Sequence, residues 1–66
     1  MKLARYLEIN REPPYLFARR SGAPKNQVYF IVKHGYASKF CTLATLKAII
    51  AATDSEVRME DLSDGK

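Results

Sequence analysis

The chain lacks most of the devices that hold very small proteins together. Its one cysteine, Cys41, excludes an internal disulfide framework, and its one histidine, His34, belongs to no His/Cys cluster of zinc-like spacing. No apolar run approaches the roughly 20 residues of a membrane span, and the N-terminus has no hydrophobic signal region. Both absences point to a cytoplasmic protein in a reducing interior. No glycine pattern suits a phosphate cradle, and Glu56, Glu60 and Asp61 are too sparse and too mixed with Arg58 for a calcium loop. Cys41 and His34 have no orienting acid nearby that would make them nucleophile and base, and Cys41 reads as a small buried thiol. The expectation is therefore a protein with no catalytic residues, no metal and no cofactor. The chain also contains no internal repeat and no low-complexity segment.

What remains is a chain of 66 residues with room for one domain. Domains this short bury only roughly 60% of the surface their unfolded chain exposes, so stability is marginal. A helical core, helped by dimerisation, has to suffice. The net charge of +4 conceals a division. Residues 1–50 carry nine Lys and Arg against Glu8 and Glu12, which gives +7, whereas residues 51–66 carry Arg58 and Lys66 against five acids, which gives −3. A basic body attracts polyanions by steering and counterion release, and an acidic tail is expected to face away from them.

Apolar spacing predicts an all-α, compact bundle of four to five helices. Leu3, Ala4, Tyr6 and Leu7 recur at helical intervals over residues 2–10, and the pair Pro13-Pro14 closes that helix and opens the next near Pro14. The second helix runs to about Ser21, Gly22 ends it, and Pro24 opens a third that carries Lys25 to Lys33 with Val28 and Ile31 on its buried side. His34 and Gly35 terminate the third helix. A loop follows in which Phe40 is expected to anchor, and Thr42 caps a fourth helix whose Leu43, Leu46, Ile49 and Ile50 should be covered by the others. Val57 is expected to fold back on the core before a polar turn at Met59 to Leu62. The domain is thus placed at 1–62, with a frayed tail at 63–66.

Ala18, Gly22 and Val28 stand at the spacing of the turn in a DNA-binding helix-turn-helix. Two helices joined by a short turn cross closely only if a small residue faces the partner, and Ala18 supplies it. The turn needs a residue that accepts positive φ, which Gly22 does without steric cost. Val28 then closes the wedge from the second helix of the pair.

This order of elements resembles the Cro/CI-type (lambda-repressor-like) helix-turn-helix regulators, in particular small phage-type repressors. The likeness covers residues 3 to 62 and rests on Leu3 with Tyr6-Leu7, Phe17-Ala18-Arg19-Arg20, Gly22, Val28 and Ile31. The ending Ile49-Ile50-Ala51-Ala52-Thr53-Asp54, with Val57 and Asp61-Leu62, extends it. The resemblance implies a sequence-specific transcription regulator, most simply a phage or prophage repressor, that acts as a homodimer on a palindromic double-stranded operator. The helix at about 24–33 would enter the major groove. Helix-turn-helix packing would fall to Phe17, Ala18, Gly22, Val28 and Ile31. Base contacts would come from Lys25, Asn26, Gln27, Tyr29 and Phe30, and phosphate contacts from Tyr15, Arg19, Lys33, His34, Tyr36, Ser38 and Lys39. Gln27 has phosphate binding or helix capping as an alternative, and Tyr29 and Phe30 have a dimer contact or a partial place in the core. Arg20 is expected to pair with an acid of the tail. The dimer surface is to be sought among Val32, Tyr36, Phe40, Val57 and Met59.

The chain also departs from the family pattern. Pro14 stands where a phosphate-binding Gln is usual and cannot donate a hydrogen bond. Ala23-Pro24 replaces the usual Val or Thr followed by Ser or Thr, and Tyr29, Phe30 and Val32 replace residues that are generally polar. A DNA-binding antitoxin of a toxin–antitoxin pair, or a protein-interaction module on the same fold, is the alternative function.

Overall fold

The breaker and capping residues divide the chain into helices α1 (Leu3–Asn10), α2 (Pro14–Ser21), α3 (Lys25–His34), α4 (Leu43–Ala52) and α5 (Met59–Leu62), in a computed structural model that describes residues 1–63. No strand occurs among the described residues. Of the tail expected to fray, Ser63 is exposed and positions 64–66 lie outside the described residues.

Each boundary has a local cause. Arg11 leaves α1 in the left-handed region at φ 53°, and Pro13, extended at φ −64°, offers its carbonyl to the N–H groups of Leu16 and Phe17. Pro14 then occupies the first helical position, where its missing N–H costs nothing. Gly22 at φ 80° and Gly35 at φ 84° close α2 and α3 by donating to the carbonyls of Ala18 and Ile31. Thr42 caps α4, its Oγ1 accepting from the Thr45 N–H at 3.2 Å.

The core is made by one face of each helix. Leu3 and Leu7 of α1, Phe17 and Ala18 of α2, Val28 and Ile31 of α3, Ile49 of α4 and Leu62 of α5 are all buried, joined by Ala23 and Val57 from the connections. Helix α3 packs against α1 and α2, α4 lies on α2, and α5 lies on α4. Thr53 is the one buried polar side chain among the described residues. Its Oγ1 donates to the Ile50 carbonyl and accepts the buried Val57 N–H at 3.2 Å, which pins a turn where Asp54 and Ser55 both have positive φ.

Several expectations need correction. Phe40 is no anchor: the Cys41 N–H closes a tight turn onto the Ser38 carbonyl, and Phe40 at its tip is 78% exposed. Leu43, in the first turn of α4 and two turns from Ile50, is also exposed. The segment Met59 to Leu62 is a helical turn rather than a polar turn. The Asp61 carboxylate reaches back to the Arg58 N–H at 3.0 Å, and Leu62 points into the core. Val57 is wholly buried and is thereby excluded from a dimer surface. Cys41 is half-buried rather than buried.

Arg20 pairs not with the tail but with Glu12 of the α1–α2 connection. Its Nε and Nη2 meet the two carboxylate oxygens at 2.7 and 3.0 Å, while Nη1 caps α4 by donating to the Ala52 carbonyl at 2.8 Å. The fork matches the carboxylate, and the carbonyl it caps has lost its helical partner, so the local acid wins over the distant ones.

Candidate nucleic-acid interface

Helices α2 and α3 are joined by Gly22-Ala23-Pro24 and held at close range by Phe17, Ala18, Ala23, Val28 and Ile31, all buried. Gly22 itself is exposed, and a Cβ built there would meet nothing within 4 Å. Glycine is needed for its positive φ and not for space. Ser21 reinforces the turn, its Oγ donating to the Ala18 carbonyl and accepting the Ala23 N–H at 3.2 Å. The Ser21 brace was not read from the sequence, although a hydroxyl directly before a helix-ending glycine is a signal for it.

Burying Val28 and Ile31 decides what α3 presents outward. Lys25, Tyr29 and Lys33 follow one another at intervals of four along an exposed row, with Asn26 beside them. These four share one outward face. Phe30 does not join them freely: it is half-buried and stacks with His34 at 4.3 Å between ring centroids and with Tyr36 at 5.9 Å. Phe30, His34 and Tyr36 therefore form an aromatic cluster at the C-terminal end of α3. Beside it an open hollow of about 510 Å³ is lined by Phe30, Tyr36, Ala37, Ser38, Lys39 and Phe40. Gln27 lies half-buried on the flank of the exposed row, its Oε1 accepting from the Ser38 hydroxyl at 3.0 Å. Of the remaining residues, Tyr15 and Arg19 are exposed one turn apart on α2, and Lys39 sits with its ammonium 5.4 Å from the centre of the Phe40 ring.

The charges are sorted between structural and free roles. Among the described residues, Arg19, Lys25, Lys33 and Lys39 form no ion pair, whereas Arg20 is committed to Glu12. The Glu12 contact raises the Arg20 pKa above its ordinary value, and Tyr6 adds a weaker hydrogen bond at 3.2 Å. Of the acids in the C-terminal segment, Asp61 is held elsewhere. Asp61 accepts from the N-terminal ammonium at 2.6 Å and from the Arg58 N–H, and these contacts, the ammonium first, hold its carboxyl below the ordinary carboxylate value. Helix α5 is tied to the end of α3, because the Ala37 N–H donates to the Leu62 carbonyl at 2.8 Å and the Lys2 ammonium bridges the carbonyls of Gly35 and Asp61. Asp61 thus stands by the C-terminal end of α3, while Lys25 is about 15 Å away along the helix at 1.5 Å per residue.

Burial pushes the Cys41 thiol upward, so it stays protonated at neutral pH. Among the described residues no three His, Cys, Asp or Glu side chains are grouped so that they could hold a metal ion, and no helix is long and apolar enough to cross a membrane. Comparison with known proteins finds no family model, no curated protein and no solved structure that matches the chain.

Proposed function

We propose that the chain is a sequence-specific double-stranded DNA-binding transcription regulator of the Cro/CI type, a repressor that inserts α3 into the major groove. The observation that carries this reading is the outward row Lys25, Asn26, Tyr29 and Lys33, anchored from behind by Val28 and Ile31, with both lysines free of ion pairs and the Asn26 Oδ1 accepting from the Gln27 N–H at 2.9 Å through one of its two lone pairs. Lys25 can donate to the O6 and N7 of guanine and Asn26 can pair bidentately with adenine, while Tyr29 can pack on thymine methyls or sugar. Arg19, Lys33 and Lys39 supply phosphate contacts that position the helix without specifying sequence.

One recognition helix buries too little surface for tight specific binding, so the working unit is a cytoplasmic homodimer with half-sites on the order of 34 Å apart. Phe40, Tyr36 and Met59 are the exposed apolar residues that suit the dimer contact, since Val57 is buried and Val32 half-buried. Phe40→Asp is expected to leave the fold intact and to weaken dimer formation on DNA, as measured by sedimentation of the complex. The exposure of Phe40 and Leu43 also favours a second reading, a DNA-binding antitoxin whose toxin would cover them. Co-purification with a toxic partner is the outcome that selects it.

The primary test is a binding-site selection from random duplexes followed by titration at several salt concentrations. Affinity should fall steeply as salt rises. Lys25→Ala and Asn26→Ala should each relax preference at particular positions, while Lys39→Ala should weaken all sequences about equally. A flat salt response, or no duplex retained at low salt, refutes DNA binding. Unchanged specificity in both Lys25→Ala and Asn26→Ala refutes the assignment of α3.

A further inference from the structure

The open hollow of about 510 Å³ at the end of α3 is held in shape by the fold on three sides. Phe30, half-buried, stacks on His34 and meets the edge of Tyr36, which sets one wall. The Ala37 N–H donates to the Leu62 carbonyl at 2.8 Å and ties the middle of the lining to α5. The Cys41 N–H closes onto the Ser38 carbonyl at 3.0 Å, and this turn holds the exposed Phe40 at the rim. Sites for small molecules are concave spaces of roughly 300–1,000 Å³ with aromatic walls and few polar groups, and this hollow has that size and those walls. A site formed in advance spends little of its binding energy on ordering itself.

What the walls offer decides what they accept. Phe30, Tyr36 and Phe40 give three ring surfaces, against which a flat aromatic ring packs offset or edge-on. No acid lines the hollow, and Lys39 is the one cation that does. Lys39 forms no ion pair among the described residues, and its ammonium lies 5.4 Å from the centre of the Phe40 ring. A ring seated beside Phe40 thus places an attached anionic group within reach of that ammonium, while a cationic group there would be repelled. We infer that the hollow is a ligand site for a flat aromatic carboxylate of small size, and that this ligand and duplex DNA exclude one another. The exclusion rests on the proposed DNA binding, in which Lys39 meets a phosphate and Tyr36 and Phe40 suit the dimer contact. Lys39 cannot serve a bound carboxylate and a phosphate at once, so the ligand acts as an inducer that releases the repressor from its operator.

The test titrates naphthoate into the full chain without DNA, followed by calorimetry and by amide NMR spectra. Shifts should concentrate at Phe30 and at residues 36–40. Naphthyl methanol, which keeps the rings and loses the charge, should bind about fivefold more weakly, the worth of one partly exposed ion pair. Lys39→Gln should bring naphthoate down to the affinity of the alcohol and leave the alcohol unchanged. Phe40→Ala removes an exposed side chain, so it should melt as the parent does and weaken both compounds by about fivefold. Octanoate, with the same charge on a flexible chain, should bind more weakly than naphthoate. No shift at these residues with millimolar naphthoate overturns the site, equal affinity for acid and alcohol overturns the role of Lys39, and octanoate binding as well as naphthoate overturns the aromatic class. Shifts at residues 36–40 that grow with protein concentration and block naphthoate place a second copy there and overturn the ligand. On the selected duplex, saturating naphthoate should weaken the parent by about tenfold, and unchanged affinity overturns the inducer. A parent that takes naphthoate but selects no duplex refutes the DNA reading and not the site, because the first titration contains no DNA.

Discussion

Arg20 ties four parts of the molecule together, and replacing it is the sharpest test of how so small a core is held. Its guanidinium forks onto Glu12, caps α4 through the Ala52 carbonyl, touches the Tyr6 hydroxyl and lies 4.9 Å from the centre of the Phe17 ring. The side chain is 42% exposed, so the ion pair is screened and contributes about 0.5 kcal/mol, well below what a dry pair would give. The cap on the α4 carbonyl adds about 1 kcal/mol and the face of Phe17 about 0.5 kcal/mol. Arg20→Ala should therefore lose about 2 kcal/mol, which in a domain of this size is a fall of about 10 °C in Tm. Arg20→Lys retains the charge but not the fork, and it should recover less than half of the loss. Melting followed by far-ultraviolet circular dichroism at low and high salt separates the contributions: the Glu12 share should fade with salt while the rest persists. A loss below about 0.5 kcal/mol in Arg20→Ala, or full recovery in Arg20→Lys, refutes the assignment of this side chain as a structural tie. Because Arg20 is committed to the fold, the folded Arg20→Lys protein should bind DNA as the parent does.

Gly22→Ala should cost about 1 kcal/mol by denaturant titration because φ is 80° there, with Gly22→Asn costing less; a loss of more than about 3 kcal/mol would mean a clash that the open space around Gly22 does not provide. Thr53→Val should cost about 2 kcal/mol, since the buried Val57 N–H loses its acceptor, and Thr53→Ser should keep most of the stability; equal melts for Thr53→Val and the parent refute this. The Asp61 carboxyl is held below its ordinary value, so its contribution is fully present above the unfolded value of 3.8 and is lost as pH falls through the lower folded value. Asp61→Asn should accordingly melt lower than the parent at pH 7 by an amount that shrinks as pH falls below 3.8, and a difference that does not change with falling pH refutes the charge-based account.

The helices α1 to α4 were legible because their ends are marked by residues that act within a few positions: Pro14 at a helix entrance, Gly22 and Gly35 at positive φ, and Thr42 at a cap. The outward row on α3 was legible for the same reason, since Val28 and Ile31 orient a helix whose period is known. What escaped depends on partners distant in sequence. Phe40 and Leu43 are as apolar as Ile49, and only the packing of α4 on α2 and α5 tells which of them is covered. Arg20 had five acids of the C-terminal segment to choose from, and the choice of Glu12 follows the left-handed Arg11, after which the Glu12 N–H closes back onto the Leu7 carbonyl at 2.9 Å. Helix α5 carried a readable signal in Asp61, three residues after Arg58, but a four-residue helix has too little period to announce itself. The Ser38 to Gln27 bond had none.

The division of charge carries the last step. Glu12 is consumed by Arg20, and Asp61 by the N-terminus and the start of α5, so these two acids are spent on the fold. Arg19, Lys25, Lys33 and Lys39 are left unpaired among the described residues, which makes them available to phosphate and nearly irrelevant to stability. Two sets of charges then have separable signatures. Neutralising any of these four cations should change stability by no more than about 0.5 kcal/mol, while each that meets a phosphate reduces the slope of log affinity against log salt by about 0.9. Arg20 and Asp61 should do the reverse, lowering Tm and leaving the slope alone. If the losses of affinity across all these variants simply tracked their losses of stability, the free cations would not be an interface, and the electrostatic argument for DNA would fall with them.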